Sequence, residues 1–142
     1  MPKLTIIRGL PGSGKSTKAD ELMDWKTFVY EADQFFMIRG EYRFNPALLG
    51  AAHDWCYGNT VSTLHEGSNV IVSNTFTRLW ELEKYLAIPT LLPDVTVNVI
   101  EMKTQYGSIH GVPEEKLKQM KDRWQDIPQE MIDNGLQVTV IE

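Results

Sequence analysis

The chain has 142 residues and a formal net charge of −5. That suits one domain with a sizeable core and argues against a broad basic face for gripping duplex nucleic acid. Its one cysteine, Cys56, rules out an intrachain disulfide, and with no signal-peptide-like start or transmembrane-length apolar run the chain is expected to be cytoplasmic, with no membrane partner.

In chain order, an apolar run, Leu4–Ile7, reads as a buried strand. It leads into Gly9-Leu10-Pro11-Gly12-Ser13-Gly14-Lys15-Ser16, which satisfies the phosphate-loop pattern G-x-x-x-x-G-K-[ST]. A helix is expected from the loop to about Asp24. The chemistry of such a loop is a nest of backbone N–H groups at a helix N-terminus, with glycines letting the backbone curl around phosphate. Gly12, Ser13, Gly14, Lys15, Ser16 and Thr17 are therefore the expected nucleotide-binding residues. Lys15 is expected to reach the β- and γ-phosphates, and the Ser16 hydroxyl to hold Mg²⁺. Thr27–Glu31 reads as strand two, and Asp33 opens a short aromatic segment, Gln34–Ile38, that ends at Gly40. Asn45-Pro46 marks a helix start, and the helix runs through Ala52, Cys56 and Leu64 to stop at Gly67. Cys56 and the four tryptophans, Trp25, Trp55, Trp80 and Trp124, are expected in or at the edge of the core. Val70–Val72 is strand three. Arg78–Leu86 is a helix with Leu79, Leu82 and Leu86 on one face. Val95–Ile100 is strand four, Pro113–Trp124 a helix, and Val138–Ile141 the closing strand.

Strands that alternate with helices and look buried on both faces predict an α/β fold. It is a P-loop NTPase three-layer sandwich, with a mostly parallel sheet of about five strands and helices on both faces, one domain over residues 1–142. Ligands of such sheets bind beyond the C-terminal strand ends. That rule selects Glu31–Asp33, Ser73–Arg78 and Lys103–Val112 beside the loop itself. Asp33 is placed to take a proton from an attacking hydroxyl or to bind Mg²⁺ through water, or else caps the segment after it. Glu31 either shares the site or is a solvated strand end. Strand three ends in Ser73-Asn74 with no carboxylate, so Asn74 can bind water or a hydroxyl but cannot act as a base, or is simply a turn residue. Arg78 would sit where a guanidinium reaches phosphate, the alternative being a surface charge that opposes the helix dipole. Arg39 and Arg43, among Phe35, Phe36, Tyr42 and Phe44, either serve to stack a base or clamp a phosphate, or belong to a hydrophobic cluster with solvated charges. His53 and His65 lack partners at metal-ligand spacing, and His110 is the histidine placed to contact a phosphate or lid.

Five segments together resemble the polynucleotide-kinase-like group of small phage and bacterial P-loop ATPases. They are Gly9–Thr17, Glu31-Ala32-Asp33, Ala51–Cys56, Asn74–Glu81 and Ile109–Pro113. The resemblance covers about residues 4 to 124. It implies ATP and Mg²⁺ as ligands and in-line transfer of the γ-phosphoryl group to a hydroxyl acceptor, a nucleic-acid 5′ end or a nucleoside. It puts Asp33 at the general-base position and Lys15 and Ser16 at the phosphate and metal positions. The chain departs from the group's pattern in carrying Asn74 for an Asp, and Gln105-Tyr106-Gly107-Ser108 where the group has lid arginines; Arg78 is the residue that would supply the missing cation. Lys15, Asp33 and Arg78 are thus the expected catalytic set. The alternative readings are an ATPase or a nucleotide-binding regulatory protein without a hydroxyl acceptor.

Overall fold

A computed structural model describes residues 1–103 and 112–142. The expected contacts of Gln105–Ser108 and His110 lie outside the described residues. Five strands, β1 (Lys3–Gly9), β2 (Thr27–Tyr30), β5 (Asn69–Asn74), β6 (Thr96–Met102) and β7 (Gln137–Ile141), form one sheet in the order β2-β5-β1-β6-β7. Every pairing is parallel. The helices are α1 (Lys15–Leu22), α2 (Leu49–His65), α3 (Leu79–Leu86), the short α4 (Ile88–Leu91), α5 (Glu114–Arg123) and α6 (Gln129–Asp133).

The period-2 alternation of β1 sorts the core into two faces. Leu4 and Ile6 join Cys56 and Leu64 of α2, Leu82 and Tyr85 of α3, Ile88 of α4, and Val70, Val72 and Val99 of the flanking strands. Ile7 points the other way, onto Ala19 of α1 with Ile71, Ile100 and Met102. Helices therefore cover both faces of a parallel sheet, as the apolar strand runs require. Asn45 caps as its sequence suggests, its Oδ1 accepting the Ala47 N–H at 3.1 Å with Pro46 at the first position.

Three details differ from the sequence expectations. The aromatic segment is a 3₁₀ turn, Ala32–Phe36, followed by a hairpin of β3 (Met37–Ile38) and β4 (Glu41–Tyr42). Arg39 and Gly40 both take positive φ at its tip, the turn that matches strand twist. Trp25 and Trp80 are 87% and 68% exposed rather than in the core. The last row that crosses β5, β1 and β6 together is polar, with Asn74 of β5, Arg8 of β1 and Glu101 of β6 side by side in register.

Candidate nucleotide and phosphoryl-transfer site

The central strand β1 ends at Gly9, and the chain turns there with the Ser13 N–H donating to the Leu10 carbonyl at 3.1 Å. Gly12 and Gly14 adopt φ of 82° and 91°, a region costly for residues with a Cβ. Gly14 is the N-cap of α1 and no side chain caps that helix. The N–H groups of its first turn have no intrahelical acceptor and face the loop. Gly9 is fixed by close approach. A Cβ there would collide with the Ser13 Oγ and come within 2.8 Å of the Met102 carbonyl oxygen. Gly9→Ala is expected to displace the loop from β6, lower stability by about 1–3 kcal/mol and weaken Mg²⁺-ATP binding. Thermal melts with and without nucleotide check this; a variant with the wild-type melt and wild-type nucleotide shift would show that the loop yields freely.

Lys15 folds back over this loop. Its ammonium donates to the carbonyl oxygens of Gly9 at 2.8 Å and Leu10 at 3.0 Å. Burial lowers its pKa to about 8, against the pull of the Glu31 and Asp33 carboxylates. Asp33 is exposed, in the 3₁₀ turn just past β2, and accepts from the Tyr42 hydroxyl at 3.4 Å. Burial and the adjacent Asp33 charge push the Tyr42 phenol up. Glu31 caps the same turn through a reciprocal box with Gln34, and its Oε1 lies 3.5 Å from the Ser16 hydroxyl. The strand-two end thus brings Glu31 to Ser16 and Asp33 into electrostatic range of Lys15.

The other two candidates fare differently. The Asn74 Oδ1 accepts the Ala32 N–H at 2.9 Å and its Nδ2 points to the Cys56 sulfur at 3.8 Å. Of its two readings, the bonds give a third: a brace between β5 and the turn that carries Asp33. Arg78 is half-buried at the N-cap of α3, in the loop that follows β5.

Sequence reasoning passed over Arg8. This residue is fully buried beneath the loop. Its Nη1 pairs with Glu101 at 2.9 Å. Its Nε and Nη2 donate to the Phe76 carbonyl at 3.1 and 2.6 Å, and Nη2 also donates to the Gln125 carbonyl at 2.9 Å. The guanidinium carbon sits 3.8 Å from the centre of the Trp124 ring. Burial pulls the guanidinium below its ordinary pKa, with the Glu101 carboxylate opposing. Trp124 forms one wall of a cavity of about 260 Å³ against the loop, whose other lining residues include Leu10, Ser13, Met102 and Lys103. The Ser13 hydroxyl is buried there and makes no hydrogen bond among the described residues.

The family model described as AAA domain matches residues 4–105. Human NEDD4-binding protein 2 is 31% identical in an alignment 133 residues long that covers 86% of this chain and 8% of that protein. A chain in a structure of the Pnkp1/Rnl/Hen1 RNA repair complex superposes with a TM-score of 0.56 at 25% identity, covering 94% of this chain and 42% of that one. A sugar kinase from Janibacter sp. HTCC2649 superposes with a TM-score of 0.69 over 99% of this chain and 85% of its own, at 14% identity, a likeness of fold alone. The chain thus spans a small part of the human relative and under half of the RNA-repair chain. The family match takes in well over half of the chain, and the chain belongs to the AAA domain family, with a P-loop kinase-like fold. Among the described residues no helix is long and apolar enough to cross a membrane.

Proposed function

We propose that this AAA-domain chain is an ATP-dependent phosphotransferase that moves the γ-phosphoryl group to a hydroxyl acceptor, in the manner of a polynucleotide 5′-hydroxyl kinase. The observation that carries this reading is the 3.5 Å approach of Glu31 to Ser16 of the phosphate loop, which sets the turn that also carries Asp33 beside that loop. A cation for the phosphates and a carboxylate for the incoming hydroxyl are the two groups that transfer to an alcohol requires. The cavity beside Trp124 is suited to the base of the nucleotide: Leu10, Met102 and Trp124 offer apolar contact, and Ser13, Lys103, Lys121 and Asp126 offer polar groups. Arg78 is assigned to the transferring phosphoryl group, for which its forked guanidinium suits better than a lysine.

The Ser16 hydroxyl and Glu31 carboxylate fit a hard, oxygen-seeking cation such as Mg²⁺. Among the described residues no three His, Cys, Asp or Glu gather to hold a metal alone, so such an ion would share its shell with phosphate oxygens and water. Its chemistry there is to offset phosphate charge. The remaining work falls to the chain: the loop N–H groups and Lys15 orient the phosphates, and Asp33 takes the acceptor's proton.

Lys15 gives this reading a pH signature. Its pKa of about 8 in the free protein rises when anionic phosphate oxygens replace the loop carbonyls as its partners. Binding then takes up a proton. ATP affinity is expected to be level below about pH 8 and to fall above it, by at most tenfold per pH unit. Calorimetric titration in buffers of different ionisation heat measures the uptake. Lys15→Ala should bind weakly and without the pH step; an identical step in that variant would remove Lys15 from the phosphates.

The activity is tested with γ-labelled ATP and Mg²⁺, offered 5′-hydroxyl DNA and RNA strands, a nucleoside panel, or no acceptor. Label on an acceptor supports the proposal. Free phosphate with every acceptor unlabelled would make the chain an ATPase, and binding without turnover a nucleotide-binding regulatory protein.

A further inference from the structure

We propose that the β3–β4 hairpin is an acceptor subsite, in which Tyr42 and Phe44 stack the base of a 5′-terminal nucleotide whose hydroxyl lies at Asp33. The inference rests on the phosphotransfer reading and adds where the acceptor is held. Its first support is the ring arrangement. Phe36 is buried and meets both Tyr42 and Phe44 edge to face, with centroids 6.3 and 5.1 Å away. Tyr42 and Phe44 themselves lie within 13° of parallel, 6.4 Å apart, and stay 51% and 46% exposed. The small aromatic core is therefore already closed by Phe36, and the outer pair offers flat apolar surface to solvent, with Met37 and Ile38 also half exposed beside it.

The second support is continuity with the candidate site. The Tyr42 hydroxyl donates to Asp33 at 3.4 Å, so the ring surface begins one hydrogen bond from the proposed base. The third is charge. Residues 37–44 carry two arginines against one glutamate in a chain of net charge −5. Arg43 pairs with Glu41 at 3.0 Å, both well exposed, and Arg39 stands at the tip in a positive-φ conformation. A flat ring, a hydroxyl and a following phosphate are the chemistry that matches aromatic pair, carboxylate and arginine in that order. A small non-aromatic alcohol would use the carboxylate but would have no base to stack on the rings and no following phosphate for the arginines.

The test compares a fluorescent single-stranded 5′-hydroxyl oligonucleotide with the same strand lacking its 5′-terminal base, without nucleotide, by anisotropy. Wild type is expected to bind the complete strand about tenfold more tightly, the lower range for one base–aromatic stack. Phe44→Ala should lower affinity for the complete strand to the level of the abasic one and leave the abasic one unchanged. Phe44→Leu, which keeps the apolar contact with Phe36, should behave alike and guards against local unfolding. Equal binding of the two strands by wild type, no binding of either, or an equal loss for both strands in the Phe44 variants would overturn the subsite. Transfer assays on the same strands separate the two claims. Base-dependent binding without labelled strand keeps the subsite and ends the kinase reading; equal labelling and equal binding of both strands does the reverse.

Discussion

Asp33→Asn is expected to lower phosphoryl transfer by about 10²–10⁴-fold while Mg²⁺-ATP affinity stays within a few-fold of wild type. The asymmetry follows from where the carboxylate sits. Asp33 is exposed, in a turn held by other groups: the Glu31–Gln34 capping box and the Asn74 bond to the Ala32 N–H. Its one described side-chain hydrogen bond comes from the Tyr42 hydroxyl at 3.4 Å, which an asparagine carbonyl oxygen also accepts. The fold should therefore not register the change beyond about 0.5 kcal/mol. An amide cannot take the acceptor's proton, so the loss should fall on kcat. Single-turnover transfer measured beside equilibrium nucleotide binding checks the split. Unchanged turnover would show that Asp33 is not the base, and a matching loss of ATP affinity would make it a nucleotide ligand instead. Asn74→Ala probes the same turn from behind: losing the brace should lower turnover without removing any titratable group.

Much of this site could be read before the structure, for particular reasons. The loop declares itself because Gly9, Gly12 and Gly14 answer local requirements, close approach and positive φ, that few other residues satisfy. The sheet was legible in runs such as Val70–Val72, buried on both faces, which leave little alternative to a parallel strand. What sequence hid was long-range. The two-residue strands β3 and β4 are too short for alternation to register. Asn74 could be placed at a strand end, but its partner, Ala32, is 42 residues away. Trp25 and Trp80 are exposed because hydrophobic residues need not be inside, although core residues are mostly hydrophobic. Arg8 did leave a trace: it falls in the same alternation phase as Leu4 and Ile6, where a charge is out of place unless a partner waits across the sheet. The register that brings Glu101 alongside it appears only with the fold.

Arg8→Met is expected to destabilise the protein by about 3–5 kcal/mol, the range for breaking one side of a buried ion pair. Methionine approximates the arginine stem but leaves Glu101, 5% exposed, without its cation. It also strips the Phe76 carbonyl of two donors and the Gln125 carbonyl of one. Arg8→Lys should rescue only part, because a point charge cannot serve a carboxylate and two carbonyls in one plane. The double variant Arg8→Met with Glu101→Gln should be more stable than the sum of its single changes, since no buried charge is then left unpaired. Urea unfolding of the four proteins checks the cycle, and a loss under about 1 kcal/mol for Arg8→Met would show that water or a rearranged loop replaces the guanidinium. The consequence reaches the site because of what the bonds fasten. Phe76 holds a φ of 48°, unfavourable for a large side chain, and its carbonyl is the acceptor for two of the Arg8 N–H groups. Releasing it frees the segment that carries Arg78, and releasing Trp124 loosens the cavity wall beside the loop. Nucleotide affinity in Arg8→Met should therefore fall even under conditions where the variant is fully folded. The buried charge joins β1 to the segment that carries Arg78 and to the segment that walls the cavity beside the phosphate loop, and rigidity at that junction is what phosphoryl transfer by positioning demands.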